Sequence, residues 1–400
     1  MTDTSPPPPP TIRLSNLVIQ TPAELRYPGG GHSLTLQEFN KLLLWARDNN
    51  VTDVDLFADD PVWIQRYGRR YPATVRPLST AELRVLGDQI YRGAAMGLMA
   101  EGMGINTAHQ IEVSREKKVR FRINMSPVMI NGEDTFNMTC RVLPEVPPLW
   151  SDLGVEPAIA ENWRQQNGLT LIGGPTGSGK STLAAAGIHE DLRDPDSHRK
   201  WVSLERPIEF VYDKVIRVSS QMLQSEIPRH FKSFASGVSE GMRRGPNGIL
   251  VGECKEMETM DATLEACNTG HHCVSTIHTN SVPDATRRVI NFFPEKEKNG
   301  RALDVASALR MIVTQMLLPT RDGKRRACRE ILVFDDRLRD KLADTDPAHW
   351  ARTVRRLVEA HGQPMIEPIS RLWQEGLLEE RDWRRLERQS AVRREEDEAA

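Results

Sequence analysis

No uninterrupted apolar run in these 400 residues approaches the ~18 residues that a bilayer-spanning helix needs, so no transmembrane segment is expected. Charge of neither sign dominates: 53 Lys and Arg stand against 55 Asp and Glu, a formal net charge of -2. That balance removes any global electrostatic case for direct nucleic-acid binding. The basic pairs Arg243-Arg244, Arg287-Arg288 and Arg325-Arg326 read as local solvated or interface faces. Cysteine is scarce and odd in number; Cys140, Cys254, Cys267, Cys273 and Cys328 form no disulfide framework, which points to a reducing compartment. The opening MTDTSPPPPP has neither the basic nor the apolar region of a secretory signal, so the expected location is cytoplasmic. The length supplies apolar material for two or three domains without covalent staples.

What is present centres on LTLIGGPTGSGKST, Leu169 to Thr182. Leu169 to Ile172 reads as a buried strand, and Leu183, the alanines after it and Ile188 begin a helical pattern. Between them lie Gly174, Pro175, Thr176, Gly177, Ser178, Gly179, Lys180, Ser181 and Thr182, a phosphate-binding loop of Walker A type. Its glycines let the backbone curl so that N–H groups and the positive end of the following helix face phosphate oxygens. Lys180 is expected to reach the β and γ phosphates of ATP, and the Ser181 hydroxyl to bind Mg2+.

Taken in order, residues 1–32 carry Pro6 to Pro10 and Gly29 to Gly31 and read as a flexible arm. Thr35 with Glu38, and Ser79 with Glu82, are capping boxes. They open helices whose apolar faces are Phe39, Leu42, Leu43 and Ala46, and Leu83, Leu86 and Ile90. Val54 to Phe57 and Val62 to Tyr67 are strand-like. In the next two strands Val119, Phe121, Ile123 and Met125 alternate with Arg120, Arg122 and Asn124, and Phe136, Met138, Cys140 and Val142 with Asn137, Thr139 and Arg141. Asn131-Gly132 is the hairpin signal between them. The resulting sheet has one apolar face and one carrying three arginines, and residues 33–143 form a small α+β domain. Prolines at 144, 147 and 148 mark a linker over 144–149.

From 150 to 335 strand-like and helix-like stretches alternate, which predicts an α/β core with a largely parallel sheet. Residues just past strand C-termini face the ligand crevice of such a sheet. Glu205 and Glu209 follow the strand Trp201 to Leu204 and are placed to orient or deprotonate a water. Glu253 ends the strand Gly248 to Val251 and is placed to hold Mg2+. Met257, Met260, Leu264 and Cys267 form a core stripe on a helix that Thr269-Gly270 stops. His271, His272, Cys273 and His278 match no usual zinc spacing; His278, at a strand's C-terminal end, is the one expected in the crevice. Past Asp335, residues 336–400 read as a charged helical tail with one stripe, Ile369, Leu372 and Trp373, a stop at Gly376 and a frayed last dozen residues.

Together these motifs resemble one family, the secretion ATPases of the traffic-warden type, which includes type II secretion, type IV pilus and type IV secretion motors. GPTGSGKST is similar to its Walker A, LERPIEF to its aspartate box, ILVGE to its Walker B and TGHHCVSTIHT to its histidine box, in the family's order. FVYD and QSEIPRHF narrow the likeness to ATPases of type IVB (Dot/Icm) secretion and their conjugative counterparts. The resemblance spans roughly residues 35–335. It implies a RecA-like P-loop ATPase core preceded by a smaller α+β, PAS-like domain.

By the same resemblance Glu209 polarises the catalytic water, Glu253 acts at Mg2+, and His271 and His278 are histidine-box residues. FRIN and TCRVLP match strands whose arginines complete the nucleotide site, so Arg120, Arg122 and Arg141 become candidates for stabilising phosphate charge at a domain or subunit boundary. Arg206 and Lys255 depart from the family pattern, which has an aspartate and an arginine there. The function implied is an ATP-hydrolysing ring, a homo-oligomer of hexamer form, recruited to the inner membrane through a secretion or conjugation complex. A pilus retraction or type II secretion motor, and a nucleotide-gated scaffold without turnover, are the two rival readings.

Overall fold

The computed structural model describes residues 21–399 except 30, 32, 67–68, 92, 115–117 and 144–145. The prolines at 6–10 and at 144 lie outside the described residues. The chain divides into two compact units, Met1–Leu143 and Pro144–Ala400.

In the first unit six antiparallel strands run in the order β3-β2-β1-β6-β5-β4. They are β1 (Asp53–Leu56), β2 (Trp63–Arg66), β3 (Arg69–Pro72), β4 (Ile105–Glu112), β5 (Lys118–Ile130) and β6 (Glu133–Leu143). Helix α1 (Leu36–Asp48) starts where the Thr35 side chain accepts from the Glu38 N–H. Helix α2 (Thr80–Tyr91) starts at a reciprocal box: Ser79 Oγ accepts from Glu82 N–H, and the Glu82 carboxylate accepts from Ser79 N–H. Their apolar faces and the short α3 (Ala95–Ala100) cover the side of the sheet that presents Val119, Phe121, Ile123, Met125, Phe136, Met138 and Cys140. Asn131 and Gly132 both have positive φ, 51° and 83°, as the tight β5–β6 hairpin requires.

The expected arm is already packed before residue 32. Leu25 belongs to this core, Tyr27 N–H donates to the Ala73 carbonyl, and the Tyr27 ring meets Trp45 edge-on at 5.5 Å.

The second unit holds a seven-stranded sheet, order β13-β12-β7-β11-β10-β8-β9. Its members are β7 (Gly168–Gly173), β8 (Lys200–Glu205), β9 (Gln221–Glu226), β10 (Gly248–Val251), β11 (His272–Ile277), β12 (Leu309–Pro319) and β13 (Arg325–Val333). All neighbours are parallel except β12 and β13. Both faces are covered, which is why β7, β10 and β11 are buried at every position. After the short α4 (Trp150–Leu153) and α5 (Pro157–Glu161), helix α6 (Lys180–Arg193) packs on one face with Trp163, Trp201 and Val274. On the other lie α7 (Phe234–Met242), α8 (Met257–Asn268), α9 (Val282–Ile290) and α10 (Lys298–Ala308).

Beyond Asp335 the chain is helical, as expected, but its first helices are built into the core. In α11 (Asp336–Ala343) and α12 (Trp350–His361), Leu338, Leu342, Trp350, Val354, Leu357 and Val358 join the main core. Helix α13 (Ile366–Gln374) ends before Gly376, and α14 (Glu380–Ala399) stays helical through the stretch expected to fray. Its composition is rich in Arg and Glu, good helix formers, with pairs such as Arg385–Asp382 one turn apart. Among the described residues no helix is long and apolar enough to cross a membrane.

Candidate functional site

The loop that leaves β7 curls over the N-terminus of α6, whose cap is Gly179 at φ 88°, a left-handed conformation that side chains resist. The helix dipole and unpaired first-turn N–H groups thus point into the loop. Lys180 is buried and donates from Nζ to the Gly174 and Pro175 carbonyls at 2.9 and 3.0 Å. Burial lowers its pKa, while the charges of Glu253 and Glu209 pull it back up. Ser178 Oγ and Thr279 Oγ1 are buried beside the loop and have no hydrogen-bond partner. Orphaned hydroxyls next to a backbone curled around an anion site fit an oxygen-rich phosphate ligand. Ser181 is half-buried in the first turn of α6.

The acids gather at the same end of the sheet. Just past β10, Glu253 Oε2 lies 2.7 Å from Lys255 Nζ and its Oε1 lies 2.9 Å from His278 Nε2. Burial lowers the His278 pKa first, and Lys180 lowers it further against the pull of Glu253. The two groups are close neighbours without a hydrogen bond, and Glu253 Oε1 is left buried and unpartnered. Lys255, which the sequence marked only as a departure, turns out to be an ion-pair partner of Glu253.

At the end of β8, Glu205 Oε1 accepts from Ser203 Oγ at 2.6 Å and Gln224 Nε2 at 3.2 Å, and Oε2 from the Glu209 N–H at 3.4 Å. Burial nonetheless pushes the Glu205 carboxyl up to about 7. Glu209 is half-buried one turn on, and Arg206 is exposed.

His271 is a correction. In β11, His272 pairs with Gly168 and Ile277 with Gly173, so His271 lies at the opposite end of the strand from the phosphate loop. Five residues of strand separate the ends by roughly 17 Å. Its Nδ1 contacts the Ala266 carbonyl at 3.1 Å and Thr269 Oγ1 at 3.3 Å, so it closes the end of α8 and takes no part in the crevice. No group of three His, Cys, Asp or Glu side chains able to hold a metal ion occurs among the described residues. His272 itself is fully buried, 3.0 Å from Thr170 Oγ1 and edge-on to Trp163 and Trp201. Burial drives its pKa down to about 3. Cys267 is core, as its stripe predicted.

On the first unit's sheet Arg122 stands directly opposite Arg141, and Arg120 opposite Leu143. The face is less purely basic than the alternation of β5 and β6 suggested. β1 adds Asp53 and Asp55, both nearly buried; Asp53 accepts from Arg141 Nε at 2.7 Å, and Asp55 lies 3.2 Å from Arg70.

Comparison with known proteins gives this geometry its context. The family described as "Type II/IV secretion system protein" matches over residues 105–368. The X-ray structure of the Legionella pneumophila ATPase DotB has a TM-score of 0.78 at 36% identity, covering 92% of this chain and 98% of that one. The pilus retraction motor PilT with bound ADP has a TM-score of 0.73 at 25% identity, covering 86% and 95%. The type IV pilus ATPase PilU of Pseudomonas aeruginosa is 28% identical over 344 residues, 85% of this chain and 86% of that protein. The second unit is accordingly a RecA-like nucleotide-binding core preceded by a smaller α+β unit. This chain belongs to the type II/IV secretion system protein family, among secretion and pilus ATPases.

Proposed function

We propose that the protein is an ATP-hydrolysing ring motor that powers assembly of, or substrate transfer through, a type IVB secretion or conjugation apparatus. The observation that carries this reading is the 36% identity to the Legionella DotB ATPase across nearly the whole of both chains. The ring is a homo-oligomer, taken as a hexamer, that works in the cytoplasm on the inner face of a membrane complex.

Lys180 exchanges its bonds to the Gly174 and Pro175 carbonyls for β and γ phosphate oxygens of ATP. Ser181 and Glu253 are the residues that would hold Mg2+, which would supply positive charge against the phosphates. Glu209 polarises the attacking water. Glu205 orients Glu209 through its backbone N–H, and His278 lies against the Glu253 carboxylate. Arg120, Arg122 and Arg141 supply positive charge to the phosphates, from the same or a neighbouring copy of the chain. Residues 144–149 are the linker about which the N-terminal body, 33–143, swings relative to the ATPase body that begins at 150, its end from Pro147 on fastened to that body through His189.

A pilus motor is the second reading, favoured by the match to PilU over 85% of the chain. Turnover per subunit, measured against protein concentration with Glu209→Gln alongside, tests the motor. A steep rise that Glu209→Gln abolishes supports it, and nucleotide binding without turnover at any concentration rejects it. Copurification with pilus platform components in place of secretion components would transfer the motor to the second reading.

A further inference from the structure

We propose that Gln315 and Arg329 are positioning residues of the nucleotide site: they hold the phosphate loop by the Ser178 carbonyl and anchor it to the segment that enters the second unit. An anion-binding loop turns its N–H groups inward, so its carbonyls turn out and need donors of their own. For Ser178 that donor is Nε2 of Gln315, a buried residue of β12. The amide has only one way to lie, because its Oε1 accepts from Arg329 Nε at 2.6 Å, on the facing position of β13.

Arg329 is 1% exposed and spends its remaining donors on one short stretch. Nη1 bonds Glu156 Oε2 at 2.8 Å and the Gly154 carbonyl at 3.1 Å, and Nη2 bonds the Leu153 carbonyl at 3.2 Å. That stretch follows the division between the two units. A few residues earlier it is fastened to α6, with the Pro147 carbonyl 2.7 Å from His189 Nδ1 and the Trp150 N–H bonded to Glu190 at 2.9 Å.

The contact between loop and strand is also steric. A Cβ on Gly174 would collide with the Gln315 carbonyl oxygen, and one on Gly179 would lie 2.7 Å from Gln315 Nε2. Two of the motif's glycines are thus required by the approach of β12 as much as by the ligand. The loop cannot shift without disturbing Gln315, and Gln315 cannot turn without orphaning a buried guanidinium donor.

The inference rests on nucleotide occupying this loop, which the wild-type and Lys180→Ala titrations establish separately. The full-length protein is titrated with a fluorescent ATP analogue, and its KM for ATP and melting temperature are measured in parallel. Gln315→Glu keeps the acceptor for Arg329 and removes the donor to Ser178; Kd and KM are expected to rise about tenfold with kcat changing less. Glu156→Gln weakens only the far anchor, for an expected rise of about threefold, and the double variant should fall short of the product of the two. A folded Gln315→Glu with Kd within twofold of wild type overturns the proposal. Should Gln315→Glu not fold, Glu156→Gln decides: raised Kd at an unchanged melting temperature supports the proposal, and unchanged Kd overturns it.

Discussion

His278 Nε2 lies 2.9 Å from Glu253 Oε1, which joins the residue after β11 to the acid after β10 beside the phosphate loop. Lys255 holds the other oxygen of the same carboxylate at 2.7 Å. The acid is therefore flanked on both sides, with Oε1 left without a hydrogen bond.

Burial and the charge of Lys180 lower the His278 pKa, which weakens it as a cationic partner of Glu253. His278→Gln should keep turnover within about threefold, whereas His278→Leu should lose about tenfold, because only a polar side chain there can bond the buried, unpartnered Oε1 of Glu253 as the site fills. Steady-state phosphate release checks both. Equal losses in the two variants would remove the orienting role.

Glu205 titrates near neutrality, at about 7. Its folded pKa is raised, so the stability it contributes is complete below its unfolded carboxyl pKa and is lost as pH rises through about 7. Glu205→Gln should remove that loss, making the variant more resistant than wild type to urea at pH 8.5 than at pH 5. The wild-type pH–rate profile should also carry an inflection near 7 that the variant lacks.

His272 behaves in the opposite sense. Its folded pKa of about 3 lies below the unfolded value of 6.5, so its contribution is present above 6.5 and drains away as pH falls towards 3. The steepest slope is about 1.4 kcal/mol per pH unit. In His272→Phe this acid-side slope should shrink between pH 6 and 4, read by denaturant unfolding with tryptophan fluorescence. An unchanged slope would place the acid sensitivity elsewhere.

Glu330 and Arg355 form an ion pair 2.8 Å apart with side chains only 2% and 8% exposed. Glu330 Oε2 also accepts from the Val282 N–H at the start of α9. Arg355→Met strands a buried carboxylate and should cost about 3–5 kcal/mol, while Arg355→Met with Glu330→Gln should recover much of it. Thermal unfolding of the two variants is the check. A single variant as stable as the wild type would mean that the buried pair contributes nothing net to folding.

Much of the fold was legible because it is written in local chemistry. Thr35 and Ser79 announce their helices through acids three residues on, and Asn131-Gly132 turns its hairpin with two left-handed residues. The tail was legible as helical, as it is, but its burial was not, for want of such a signal. Leu338, Trp350 and Val354 sit among many charges, and their burial depends on α9 and α10 offering a surface that no local pattern reveals.

By itself the chain determined the phosphate loop, the helix starts, the parallel core and the acids at the strand ends, because caps, turns and strand periodicity act within a few residues. Only the tertiary structure decided which members of a motif share a site. His271 and His278 stand seven positions apart in one box, yet a buried strand runs between them and carries them to opposite ends of the sheet. Likewise Asp53 meets Arg141, and Arg329 meets Glu156, across separations of 88 and 173 residues. Such pairs follow from strand order and burial, where an unpaired charge is costly, and those are properties of the assembled core.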